Sequence, residues 1–221
     1  NSITLDVNPE QNGKSGIHLQ DFNKGNIQSN PITLPSFGGT NDPLGYRGIW
    51  LQGSGGATIS GNTINGQFGM NNIYDPSFST GIRLESSPGN IIRENMISGA
   101  GTGMKFVGNC TSTNNIGCNK ISGFGFGIWY ETGAVTGAQT NQGNTWTNPV
   151  TSPDPVNLPY AGARHDGDLA NIGQSVYNTL QGASSQYPQT FKLMNPTWAS
   201  SWFKPGGSSN CPQFTGGEDR S

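Results

Sequence analysis

The chain has 221 residues, one ordinary domain's worth, a formal net charge of −2 and only 11% charged residues. No basic field exists to contact phosphates, which excludes nucleic-acid binding, and no apolar run reaches membrane-spanning length. The 31% hydrophobic content would suit a disordered chain, but here the apolar residues recur at fixed offsets, and 34 glycines suit repeated tight turns.

The pattern begins at once. Ile3-Thr4-Leu5-Asp6-Val7 alternates as a strand, and the chain opens at Asn1 in mid-pattern. The expectation is a mature or excised piece of a longer, exported polypeptide, with further rungs upstream covering the open end. A Gly-apolar-x-apolar strand follows at Gly16-Ile17-His18-Leu19 and returns at Gly48, Gly81, Gly103 and Gly127, at intervals of 32, 33, 22 and 24 residues. A second motif, Ile-x-x-Asn-x-Ile, accompanies it at Ile27–Ile32, Ile59–Ile64, Ile92–Ile97 and Ile116–Ile121, with a degraded copy ending at Asn144-Thr145-Trp146. A period of this length built from two-residue alternation predicts a solenoid of parallel strands with about six rungs. The asparagines at the corner of each second motif, Asn30, Asn62, Asn95 and Asn119, are expected to stack as a ladder of side-chain amides. The two long rungs carry their extra residues in the same place, Thr33 to Tyr46 and Asn65 to Thr80, which puts two insertions on one edge.

Cys110 and Cys118 flank one turn, and a local disulfide between them is expected, implying an oxidising compartment and leaving Cys211 over. After Pro149 the repeat stops. Residues 1–148 are assigned to the solenoid, 149–204 to a non-repetitive C-terminal cap holding Trp198, Trp202 and Phe203, and 205–221 to a linker or tail.

The paired Gly-Ile-x-Leu and Ile-x-x-Asn-x-Ile motifs, over roughly residues 16 to 146, resemble the right-handed parallel β-helix family, all-β proteins that include pectate lyases, polygalacturonases, epimerases and non-catalytic surface proteins. The stretch from Asn141 to Phe203 is similar to the end of β-helix regions in secreted Bacteroidetes proteins that carry a type IX sorting domain further on. The resemblance implies a secreted or cell-surface bacterial protein, and a ligand face along the outside of the first strand.

On that face the outward positions are His18, Trp50, Arg83, Lys105 and Trp129, followed by Gln20, Gln52, Glu85, Val107 and Glu131. Three uses compete. As a glycan groove, Trp50 and Trp129 stack on sugars while Arg83, Lys105, His18 and Glu131 supply polar contacts. As a lyase or hydrolase site for an acidic polysaccharide, Arg83 or Lys105 is the base and Glu85 or Glu131 the acid, or a Ca²⁺ ligand. As an ordinary sheet face, the same charges are surface ion pairs: Arg83 with Glu85, Lys105 with Glu131.

The hydrolase motifs of the family (Asn-Thr-Asp, Asp-Asp, Gly-His-Gly, Arg-Ile-Lys) do not occur, and Asp75-Pro76 continues to Ser77 as a turn. Glu85 is the single carboxylate at the centre of the stripe, too few for a lyase Ca²⁺ cluster, so no cofactor or resident metal is expected. His165-Asp166-Gly167-Asp168 lacks a further metal ligand and reads as a turn. The expectation is therefore a non-catalytic structural or adhesive module. Its expected partner is a glycan or a cell-surface protein, alongside the rest of its own polypeptide.

Overall fold

The computed structural model describes residues 3–4, 15–35, 45–68, 75–113, 115–131, 133–136, 144–147, 161–166 and 211. Three parallel sheets form the sides of a coil. The first holds Ser15–Gln20, Tyr46–Gln52, Ser79–Glu85, Thr102–Val107, Phe126–Tyr130 and Ala161–His165. The second holds Asn26–Gln28, Thr58–Ser60, Ile91–Arg93 and Asn115–Gly117. The third holds Ile3–Thr4, Pro31–Thr33, Thr63–Asn65, Met96–Ser98, Lys120–Ser122 and Thr145–Thr147. A complete turn contributes one strand to each side, so neighbours in a sheet are a whole rung apart in sequence, and a short fourth sheet pairs Asn109–Cys110 with Val135–Thr136.

The register lines identical residue types up through the core. Ile49, Ile82, Met104 and Ile128 stack in one column and Leu51, Leu84, Phe106 and Tyr130 in the next. The second and third sheets add Ile27, Ile59, Ile92, Ile116 and Ile32, Ile64, Ile97, Ile121. All of these are buried, and Phe106 stacks on Tyr130 with ring centroids 5.0 Å apart. Two-residue alternation thus becomes a thin, continuous apolar core one rung at a time.

The corner between the second and third sheets is held by the asparagines. Asn30, Asn62, Asn95 and Asn119 each donate from Nδ2 to the Oδ1 of the next asparagine at 2.9–3.0 Å. The series reaches Asn144, one rung beyond the clear motif. The same Oδ1 atoms also accept the backbone N–H of the asparagine one rung back, at 3.0–3.1 Å. The residue before each of the first four asparagines, Ser29, Gly61, Glu94 or Cys118, has φ between 55° and 63°, so a left-handed residue makes each of these four corners.

The corner after the first sheet has its own polar column. Ser54 Oγ donates to the carbonyls of Leu19 and Gln52, and Ser87 Oγ to that of Glu85. Cys110 Sγ occupies the equivalent place one rung on, 3.8 and 3.6 Å from the carbonyls of Leu84 and Val107.

This overturns the expected Cys110–Cys118 bridge. Cys110 is a free, buried thiol, and the disulfide joins Cys118 to Cys211, with Cα atoms 5.4 Å apart. The reason is geometric: the strand Asn115–Gly117 separates the corners that hold Cys110 and Cys118, about 10 Å of extended chain at strand rise. Cys110 faces the core and behaves as a serine substitute, and burial pushes its thiol pKa up.

The parallel repeat also extends past Pro149, because Ala161–His165 adds a sixth strand to the first sheet beside Phe126–Tyr130. The remainder of the expected cap, including Trp198, Trp202 and Phe203, lies outside the described residues, as does the tail except Cys211. Most of the first long insertion, residues 36–44, and the middle of the second, residues 69–74, also lie outside them. The end of the second begins with an Asx turn, Ser77 donating from N and Oγ to Asp75 Oδ1, and its Pro76 carbonyl accepts from Thr102 Oγ1 at 2.9 Å. This pins the insertion against the edge where the chain enters the first sheet.

Candidate functional site

The first sheet sets the outward stripe by register. His18, Trp50, Arg83, Lys105 and Trp129 are successive cross-strand partners, and Arg164 follows Trp129. Strands about 4.8 Å apart place each ring or charge directly over the next. The result is a stack running along the coil axis, with the aromatic faces turned toward neighbouring rungs.

At one end His18 lies on Trp50, ring centroids 4.0 Å apart and planes within 4°. The Arg47 guanidinium lies 4.4 Å from the Trp50 centroid. At the other end the Lys105 ammonium is 3.7 Å from the Trp129 centroid and the Arg164 guanidinium is 4.6 Å from it. Lys105 comes from the strand before Trp129 and Arg164 from the strand after, so cations cover the indole from both sides. Such contacts are worth about 0.5–2 kcal/mol each as desolvation increases.

The carboxylates complete the array. Arg83 Nη2 meets Glu85 Oε2 at 3.3 Å, Lys105 pairs with Glu131, and Arg164 Nε donates to Asp166 Oδ1 at 2.7 Å. Asp166 Oδ2 also accepts from Trp129 Nε1 at 2.7 Å. Asp166 is thus engaged by Arg164 and Trp129, and among the described residues no cluster of three or more His, Cys, Asp or Glu could hold a metal.

Lys105 departs from the picture of a solvated surface ion pair. It is only 6% exposed, although its position in the strand faces outward. Burial lowers its pKa first of all, Glu131 opposes this through a hydrogen bond and its charge, and Arg83 and Arg47 add to the lowering. A lysine whose folded pKa lies below its unfolded value costs stability while it is charged. That cost is relieved as pH rises through the folded pKa toward the ordinary value of 10.5. Replacing Lys105 by Met keeps the stem over Trp129 and removes the charge. The stability of the wild type relative to Lys105→Met is therefore expected to increase as pH is raised from 7 to about 10. Urea midpoints of both proteins across that range check it, and a flat difference refutes it.

Arg47 and Arg164 were not among the residues singled out from sequence. Arg164 had a legible signal: Gly162-Ala163-Arg164-His165 pairs in register with Gly127-Ile128-Trp129-Tyr130, but Ala163 in place of isoleucine hides the motif. Arg47 precedes the Gly-Ile pair, where two-residue alternation breaks, because Gly48 and Ile49 both turn toward the core. The side chain of His165 lies outside the described residues.

No curated protein and no solved structure matches the chain. A family model described as "Right handed beta helix region" matches residues 2–157. Together with three parallel sheets and a motif repeated once per rung, this match places the chain in the right-handed β-helix family.

Proposed function

We propose that the chain is a rigid, non-catalytic β-helix module of a secreted or cell-surface protein. The observation that carries this reading is the mutual engagement of the outward stripe. Arg83 and Lys105, the candidate bases, are each tied to a carboxylate, and Lys105 is also covered by Trp129. A general base must reach a substrate proton at hydrogen-bond distance, and these pairs direct the cations at their own neighbours. Both tryptophans are likewise occupied: His18 and Arg47 lie against Trp50, while Lys105 and Arg164 lie against Trp129. Sugar stacking requires an open ring face. The stripe is read instead as a clamp that locks successive rungs together on the side where the strands are longest. The Cys118–Cys211 disulfide fits an oxidising compartment.

Incubation with pectate, alginate and other acidic polysaccharides is expected to release neither unsaturated uronates nor new reducing ends. In the same experiments, Trp129→Ala is expected to lower the urea midpoint, since it strips Lys105 and Arg164 of their shared platform. Turnover that disappears in Arg83→Ala or Lys105→Ala would replace this reading with the lyase or hydrolase alternative.

A further inference from the structure

We propose that the Cys118–Cys211 disulfide is a thiol-exchange site, with Cys211 as the sulfur attacked and Cys118 as the leaving and resolving thiolate, activated by Arg93. Three observations lead there. Arg93 Nη2 donates to Cys118 Sγ at 3.6 Å. Arg93 Nε is buried and meets no acceptor among the described residues, so no carboxylate is bonded there to neutralise the guanidinium from that side. The two half-cystines also differ in exposure: residue Cys118 is 3% exposed, whereas residue Cys211 is partly exposed.

The placement follows from the fold. Cys118 fills the left-handed corner position that Ser29, Gly61 and Glu94 fill in earlier rungs. Gly117 pairs with Arg93 in the second sheet, which brings the guanidinium alongside the sulfur of the next corner. The Arg93–Cys118 contact is held by two rungs of sheet.

The chemistry balances as ordinary exchange. A small-molecule thiolate attacks Cys211 Sγ, the Cys118–Cys211 bond breaks, and a mixed disulfide forms on Cys211. The electron pair leaves on Cys118 Sγ, where the Arg93 charge stabilises it. In the reverse direction the Cys118 thiolate attacks Cys211 Sγ and expels the small thiol, closing the bridge again. No other oxidant or reductant is required. The consequence is a reversible covalent link between Cys211 and the corner between the second and third sheets, independent of the scaffold reading above.

The test uses the whole chain carrying Cys110→Ser, since serine already occupies that column at Ser54 and Ser87. Reduced glutathione is the probe, with iodoacetamide as quench and peptide mass mapping as readout. The expected product carries glutathione on Cys211 and the alkyl group on Cys118. Arg93→Met is expected to slow opening about tenfold, and Arg93→Lys to restore part of the rate. In the reduced protein, the pH profile of Cys118 alkylation is expected to lie below the ordinary thiol range near 8.5 and to move up in Arg93→Met. Should Arg93→Met fail to fold, the wild-type pH profile decides alone. Glutathione found on Cys118, or a Cys118 thiol titrating at or above the ordinary value, overturns the proposal. So does an opening rate indifferent to Arg93→Met.

Discussion

Replacing Asn95 by leucine is expected to cost about 3–6 kcal/mol, a large effect for an almost isosteric change. Asn95 sits at 0% exposure in the middle of the ladder. Its Oδ1 accepts from the backbone N–H and the Nδ2 of Asn62, and its Nδ2 donates to Asn119 Oδ1 and to the Ile59 carbonyl. Leucine fills the volume and offers no polar atom. It strands two donors on Asn62 and the Ile59 carbonyl inside the coil, each at about 1–3 kcal/mol. Asn30 provides the internal comparison. It stands at the end of the series and is part-exposed, so water can replace what Asn30→Leu removes, and about 1 kcal/mol is expected there.

Asn95→Asp separates the two halves of the amide. The ionised carboxylate still accepts from Asn62 but cannot donate to Ile59, and it sets a negative oxygen against Asn119 Oδ1. Its folded pKa must rise above the unfolded value of about 3.9. For a group shifted upward, the stability is present below the unfolded pKa and is lost as pH climbs through the folded one. Asn95→Asp is thus expected to approach wild-type stability in acid and to fall away toward neutral pH. Urea titrations at pH 3.5 and 7 check both variants. A leucine variant as stable as wild type would mean the ladder is ornamental.

How far the sequence carries this molecule depends on the kind of information involved. Strand identity, parallel pairing and the asparagine corners are legible because each is written several times, and every copy constrains the others. The order Gly48-Ile49-Trp50-Leu51 alone is an unremarkable strand; five aligned copies define a sheet. The Cys118–Cys211 pairing is not legible, because it is a single long-range event, 93 residues apart, and no second copy of it exists to constrain it. Cys110 and Cys118 are close in sequence, yet they stand at different corners, and only the rung geometry reveals that.

The stripe is half legible. Alternation places His18, Trp50, Arg83, Lys105 and Trp129 on one row, and the structure puts them there. What alternation does not convey is the tilt of each side chain along the coil axis. That tilt turns a row of candidate ligands into a stack in which Lys105 is buried beneath Trp129. It also hides Arg164, whose strand keeps the glycine of the motif and loses the isoleucine.

The glycine itself supports the second large effect. Gly103→Ala adds one methyl group and is expected to cost about 3 kcal/mol or more. A Cβ at Gly103 would sit 2.5 Å from Ile121 Cγ2 and 2.6 Å from the Gly127 carbonyl oxygen. The first neighbour is a core side chain of the third sheet, wedged among Ile97 and the other isoleucines. The second is the backbone of the next first-sheet strand, which cannot retreat without lengthening ladder hydrogen bonds. Gly81 repeats the geometry one rung earlier, with Ile97 Cγ2 at 2.5 Å and the Gly103 carbonyl at 2.6 Å. The motif glycine is therefore a spacing device: it lets the strand of one side approach the isoleucine of another, and any larger residue pushes the two sheets apart.

Gly133→Ala separates this steric cost from the cost of backbone conformation. Gly133 has φ 78° and nothing within 4 Å of its added Cβ, so about 1–2 kcal/mol of left-handed strain is all that is expected there. Ile121→Ala tests the contact from the other side. Alone it should cost about 2–5 kcal/mol for the cavity it leaves. Combined with Gly103→Ala, the total should fall short of the sum by about 1 kcal/mol or more, because the new methyl enters space the isoleucine vacated. The Gly127 carbonyl remains in place, so relief is partial. Strict additivity in the double variant would locate the cost of Gly103→Ala in the backbone approach alone, and a Gly103→Ala midpoint equal to that of Gly133→Ala would remove the steric role of the motif glycine altogether.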